Sequence, residues 1–281
     1  MDRIGLEFIS VLGMPPPDFV TAAAGLGVRH IGLALAPIVA QPGAFPVWSL
    51  REDVVLRRET AAALNAYGVR LSIGEGFMVR PGAEIADAVA DLDVLQALGA
   101  PCVNVLTLEP DADRSLDQLA RFAEMAGERG LRATLEFLPG TPAGDLESGA
   151  ALVRQVGRPN FGLLVDSLHL FRSGGTAADV AALEPGLVSY VQLCDAPSVS
   201  RHAIYADEAR YDRLPPGQGE FPLLDLLKVL PRDLVVGLET PMLAKAEAGQ
   251  GARERLGPAV VATRDLLAQL EGQGETACPE N

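Results

Sequence analysis

Short apolar runs alternate along the chain with turn residues and with longer stretches of helical periodicity. The runs begin at Ile4 (IGLEFISV), His30 (HIGLAL), Arg70 (RLSIGEGF), Cys102 (CVNVLTL), Arg132 (RATLEFL), Phe161 (FGLLVDSLH), Val188 (VSYVQLCDA) and Leu234 (LVVGLET). Each is short and followed by Gly, Pro or polar turn residues, which reads as a buried strand. Between them, segments such as Glu84 to Gly99 and Leu116 to Gly130 repeat apolar residues every three or four positions and end in glycine, as a helix C-terminus does. Strands alternating with helices build parallel βαβ units. The eight starts recur at a mean spacing of about 33 residues, one βα unit each, which suits a closed (β/α)8 TIM barrel. An open doubly wound sheet is the alternative, but its glycine-rich phosphate loop is missing after the first strand. The expected organisation is one α/β barrel over residues 1–270 and a polar C-terminal tail over 271–281.

Two of the intervals are long, and the surplus follows the strand each time, in residues 37–50 and 197–220. Extra length in βα loops falls on the face where barrel enzymes hold their chemistry. Phe45 and Trp48 in the first of these loops are candidates for one wall of a pocket, with local packing as the plainer reading.

Composition narrows the function classes. With 37 Asp plus Glu against 23 Lys plus Arg, a formal charge of −14 and no basic stripe, the 281-residue chain is not built to neutralise phosphates, so nucleic acid is excluded as a partner. A content of 48% hydrophobic and 21% charged residues is that of a folded globular chain. No run is long and apolar enough for a membrane span, and MDRIGLEFIS does not resemble a signal peptide. The three cysteines show no metal-type spacing, so the expectation is a reducing, cytoplasmic setting.

Polar residues interrupt the last four strands near their C-terminal ends: Glu136 in TLEFLPG, Asp166 in LLVDSLH, Gln192 in YVQLCDAP and Glu239 in VGLETP. A carboxylate in an apolar strand is costly unless paired or metal-bound. Taken singly, Asp166 could cap a helix, Glu136 or Glu239 could pair with an arginine, and Gln192 could be a hydrogen-bonded core residue. Together, on four adjacent strands at one level, they form an oxygen-rich set for one hard divalent cation, Mn²⁺ or Mg²⁺ first and Co²⁺ or Zn²⁺ as alternatives.

In these residues the chain resembles the xylose-isomerase-like TIM-barrel superfamily, the sugar phosphate isomerases and epimerases. The resemblance runs from the first strand to Glu239 and is firmest from Leu131 onward. It implies a metal held by Glu136, Asp166, Gln192 and Glu239, with His169 of the DxxH pair facing substrate or metal. Most epimerase-type members carry histidine where this chain has Gln192. Glutamine there, the VQLCDAP stretch, and Arg210 ahead of Gly217-Gln218-Gly219-Glu220 are similar to the bacterial 3-dehydroshikimate dehydratase branch. The segment FLPGTPAGD departs from that branch, and Tyr211 stands in place of a histidine beside the arginine. Pro142 replaces the second glutamate of sugar epimerases. The apurinic endonucleases of the superfamily bind three zinc ions through many histidines, and His30, His169 and His202 cannot supply such a site.

A cation bridging a carbonyl and its neighbouring hydroxyl acidifies the C–H between them, and a side chain must then move the proton. Glu136, Glu239 and His169 are the catalytic candidates. Arg201, His202, Arg210, Arg213, Tyr205 and Tyr211 crowd the seventh loop. Of these, Arg210, Arg201, His202 and Tyr211, together with Glu75 of the third strand, are the candidate contacts to a small polar substrate. Glu75 and Glu7 could equally pair with a barrel arginine. Asp195 reads as a turn residue and His30 as structural.

The leading expectation is a divalent-metal-dependent isomerase or epimerase acting on a sugar-like polyhydroxylated substrate through an enediolate. A dehydratase using the same enediolate to expel a β-hydroxyl is the second reading, and a non-catalytic metabolite-binding barrel is the third. Self-association into a homo-oligomer stays open.

Overall fold

Eight parallel strands close on one another in chain order: β1 Ile4–Leu6, β2 His30–Ala34, β3 Arg70–Val79, β4 Cys102–Thr107, β5 Arg132–Glu136, β6 Phe161–Asp166, β7 Val188–Leu193 and β8 Val236–Leu238. This computed structural model describes residues 3–41 and 43–275. The barrel closes where Ile4, Gly5 and Leu6 pair with Val236, Gly237 and Leu238. Every expected strand forms. β8 begins at Val236 rather than Leu234, whose carbonyl accepts a hydrogen bond from the Arg3 guanidinium ahead of the ladder.

Helices cover the outside, and their limits follow from caps the apolar periodicity does not register. The helix expected from Leu116 starts at Ala112, since the Asp111 carboxylate accepts the Arg114 N–H at 2.8 Å. The segment from Glu84 divides into a 3₁₀ turn, Ile85–Ala88, and a helix, Val89–Ala97. The last helix, Ala252–Glu275, runs past the boundary at 271 that its polarity suggested, and residues 276–281, with Cys278, lie outside the described residues. No helix among the described residues is long and apolar enough to cross a membrane.

The main core lies between barrel and helices. The helix Ala112–Gly127 turns Leu119, Phe122, Ala123 and Ala126 inward, and Phe122 meets Phe77 of β3 with ring centroids 5.0 Å apart. Trp48 belongs to this packing and not to a pocket wall: it lies edge-on to Phe8, and its indole N–H donates to the Gly13 carbonyl at 2.9 Å. Cys102 and Cys194 are buried as free thiols, pushed up to about 11 and about 12 by that burial, which leaves them protonated and unreactive.

The strand registers set the site. Asp166 is aligned with Gln192, and Gln192 with Gly237, so the polar ends of β6 and β7 share a level. Between β3 and β4 the pairing jumps from Gly74 opposite Val103 to Phe77 opposite Val105. Glu75 and Gly76 therefore face one residue, a β-bulge made tolerable by the φ of +100° at Gly76. Replacing Phe122 by Ala should cost about 3–5 kcal/mol, read as a lowered denaturant midpoint with the slope unchanged.

Candidate active site and metal centre

Asp166 ends β6 and caps the next helix, Ser167–Arg172, at once. Its Oδ1 accepts the backbone N–H of Leu168 at 2.6 Å and of His169 at 3.1 Å. That cap fixes His169 in the first turn, facing β5. His169 Nε2 lies 3.0 Å from Glu136 Oε1, and its Nδ1 is hydrogen-bonded to the Tyr205 hydroxyl. The other Glu136 oxygen accepts from Asn104 Nδ2 at 2.6 Å, and Asn104 Oδ1 in turn accepts from the Thr134 hydroxyl.

Arg213 enters from the seventh loop. Its guanidinium donates to Asp166 Oδ2 at 2.6 Å, and the same nitrogen lies 3.4 Å from Glu239 Oε2. Only 2% of Arg213 is exposed, and its Nε donates to the Ala209 carbonyl. The loop is fastened from behind. Arg172 grips Glu208 with two hydrogen bonds of 2.8 and 2.6 Å, donates to the carbonyls of Pro197 and Ser198, and stacks over Phe221. Asp195 gathers the N–H groups of Ala196, Gly217 and Phe221 on its carboxylate, which confirms it as a turn residue and folds the PGQGE segment.

Asn104, Glu136, His169, Tyr205, Arg213 and Glu239 line a cavity of about 350 Å³ at the C-terminal end of the barrel. Its walls are largely apolar, with Ile9, Ile38, Met78, Leu106, Leu138 and Ile204, and Arg210 stands exposed at the rim. Of the substrate contacts expected from sequence, Glu75 and Arg210 line this cavity. Arg201, His202 and Tyr211 do not. Arg201 is exposed, His202 bonds Asp212 at 2.8 Å, and Tyr211 packs against the Ile9, Leu12, Val39 and Ala246 cluster. Tyr205 and Ala209, one turn apart on the helix Tyr205–Tyr211, face the cavity, and beyond the helix Arg213 is drawn in where its backbone N–H donates to the Pro241 carbonyl at 3.1 Å. Tyr205, Arg213 and Asn104 are the members that strand-end reasoning did not select.

Burial of so many acids governs their protonation. It pushes the Glu239 carboxyl well above the usual carboxylate range, and likewise Glu75, where the Glu7 and Glu136 charges add to the effect. Glu7, wholly enclosed, is pushed up to about 8. For Asp166 burial acts in the same upward direction, but the Arg213 charge overcomes it and holds the carboxyl well below its ordinary value. Burial also raises the Tyr205 phenol, so it remains a hydroxyl.

The arrangement suits a divalent cation. Ligand atoms of Glu136, Asp166 and His169 lie within 4.8 Å of one another. The buried Gln192 Oε1 has no hydrogen-bond partner, and Glu239 Oε2 has none closer than the Arg213 guanidinium at 3.4 Å. Orphaned buried oxygens call for an unrecorded donor or ion, and mixed carboxylate, amide and imidazole donors match a hard or borderline metal.

The family model for the xylose isomerase-like TIM barrel matches residues 20–257. A curated relative, 3-dehydroshikimate dehydratase of Pseudomonas aeruginosa, is 33% identical over 154 residues, which is 53% of this chain but 24% of that protein. The chain thus spans about a quarter of the length of that relative. A solved structure of IolI protein with a bound zinc atom matches 95% of this chain and 99% of its own, with a TM-score of 0.79 and 18% identity. L-ribulose 3-epimerase covers 100% of this chain and 99% of its own at a TM-score of 0.75 and 16% identity. At that identity both solved structures speak for the fold alone.

Glu7 makes the metal-free protein sensitive to pH in a defined direction. Its folded-state carboxyl titrates near 8, so the folded chain keeps a proton that the unfolded chain has released. Its contribution to stability is complete below the unfolded value of about 4.3 and is lost as pH rises toward 8. In chelator-treated protein, the melting temperature of Glu7→Gln should therefore fall less between pH 5 and pH 8 than that of the wild type. Parallel curves for the two proteins would contradict this.

Proposed function

The chain belongs to the xylose isomerase-like TIM barrel family, and from that premise we propose that its site carries out a metal-dependent dehydration of a small hydroxylated ring bearing a carbonyl. The observation that carries this reading is the convergence of Glu136, Asp166 and His169 with the unbonded oxygens of Gln192 and Glu239, beneath an apolar-walled cavity. Apolar walls suit the faces of a carbocycle better than an open-chain sugar, whose every hydroxyl would need a partner. The exposed Arg210 at the rim suits a carboxylate on that ring. The dehydratase relative, at 33% identity, favours the same outcome.

Glu136, Asp166, Gln192 and Glu239 would hold the cation, with His169 within reach of the same point. A divalent ion so held polarises a carbonyl and stabilises the negative charge that develops when the adjacent C–H is broken. The proton is handled by Glu136 and His169. With Glu136 ionised, neutral His169 donates its Nε2–H to Oε1 and accepts the Tyr205 O–H at Nδ1, so both ring nitrogens are assigned by their partners. A proton taken from carbon is then held on the Glu136 carboxylate, which the His169 Nε2–H and the Asn104 amide keep in place. Returned to the β-hydroxyl, the same proton leaves with it as water: a C–H and a C–O bond break, and a C=C bond forms.

Epimerisation is the second reading. It requires a proton donor from another arc of the barrel, and Glu239 on β8 keeps a proton well above the usual carboxylate range. Incubation with 3-dehydroshikimate and Mn²⁺ in D₂O separates the readings. The proposal predicts loss of one water from the product mass. Retained mass with deuterium exchanged at carbon would replace it with the isomerase reading, and binding without exchange would leave a non-catalytic barrel. Glu239→Ala should lower Mn²⁺ affinity by more than about 100-fold, beyond the effect usual for groups outside the ligand set. Unchanged affinity would remove Glu239 from the site.

A further inference from the structure

Gln192 presents an ambiguity that a carboxylate or a histidine would not. Its terminal amide has one oxygen and one nitrogen of nearly the same shape, and only the oxygen can serve a cation. The side chain is 1% exposed, so water cannot settle its orientation. One contact distinguishes the two ends: Gln192 Nε2 donates to Glu75 Oε1 at 2.9 Å, leaving Gln192 Oε1 as the buried acceptor with no partner.

Glu75 is itself held by a chain of groups running down the barrel axis. Its carboxyl lies against that of Glu7. Glu7 Oε1 accepts the Tyr190 hydroxyl at 2.7 Å, and that hydroxyl lies 2.9 Å from Ser72 Oγ, which can donate to it. The Glu7 carboxylate lies across two glycines of the neighbouring strands. A Cβ on Gly32 would stand 1.9 Å from Oε2, and one on Gly237 would stand 1.7 Å from Oε1. The bulge at Glu75 and Gly76 completes the placement, since it falls where β3 must aim a side chain at β7 across the barrel interior.

We infer that Glu75, anchored through Glu7, Tyr190 and Ser72, is a positioning residue that fixes the Gln192 amide with its oxygen toward the metal centre. This moves Glu75 from the substrate contacts to the support of a ligand. It rests on the reading of Gln192 as a metal ligand. An asparagine or glutamine ligand needs such a partner, whereas a glutamate would not, because either of its atoms is an oxygen.

That asymmetry supplies the test. Mn²⁺ affinity is measured by calorimetry for wild type, Glu75→Leu, Gln192→Glu and the double variant, with circular dichroism to establish that each is folded. Loss of the Glu75 contact should weaken Mn²⁺ binding by about 10–100-fold when residue 192 is glutamine. In the Gln192→Glu background the same change should cost less than about threefold or improve binding, a non-additivity that marks coupling. Equal losses in both backgrounds would show Glu75 acting through the general fold and overturn the inference, as would no loss in either. Failure of the wild type to bind Mn²⁺ would instead overturn the metal reading on which the inference stands. If Glu75→Leu does not fold, the isosteric Glu75→Gln gives the same comparison, since an amide at 75 accepts either end of Gln192.

Discussion

The carboxyl groups of Glu7, Glu75, Glu136, Asp166 and Glu239 are buried in and just above the interior of this barrel, and the Arg213 guanidinium is enclosed with them. Isolated charges in such a setting cost several kcal/mol each unless they are neutralised, paired or coordinated. The protein uses each remedy in a different place. Glu7 and Glu75 are pushed by burial toward their neutral forms, Asp166 pairs with Arg213, and Glu136 takes hydrogen bonds from Asn104 and His169. Gln192 Oε1 has no hydrogen-bond partner, and Glu239 Oε2 has only the 3.4 Å approach of Arg213. A site short of positive charge, with unoccupied oxygens aimed into it, is arranged for a cation.

The surrounding structure serves that arrangement. Strand registers bring Asp166 beside Gln192, and the helix that Asp166 caps carries His169 to Glu136. The seventh loop brings Arg213 and Tyr205 over the floor, and the Arg172–Glu208 pair and the Asp195 turn keep the loop in one place. One carboxylate, Asp166, is thus cap, ion-pair partner and candidate ligand at once. Its two oxygens face different ways, so the helix cap made by Oδ1 leaves Oδ2 directed at Arg213.

The barrel was legible because each strand is a short apolar run and the units recur at a near-constant interval. The carboxylates were legible because an acid in an apolar run stands out. Choosing among the arginines of the seventh loop was harder. Distance from PGQGE points to Arg210, but the innermost position belongs to Arg213, which lies beyond the helix Tyr205–Tyr211 and is held by its backbone N–H on the Pro241 carbonyl. That contact reaches from the seventh loop to the end of β8, a distance along the chain that no local spacing records. Helix starts were misjudged where a cap such as Asp111 precedes the apolar face. The Glu7–Glu75–Gln192 contacts join three distant strands, which no local pattern records.

The most direct measurement is a crystal structure of the protein soaked in Mn²⁺, with anomalous scattering used to place the ion. The account predicts one strong peak at coordination distance from Glu136, Asp166, Gln192 and Glu239, with the Gln192 oxygen turned to the metal and its nitrogen on Glu75. A peak elsewhere, or none at this cluster at saturating Mn²⁺, would contradict it.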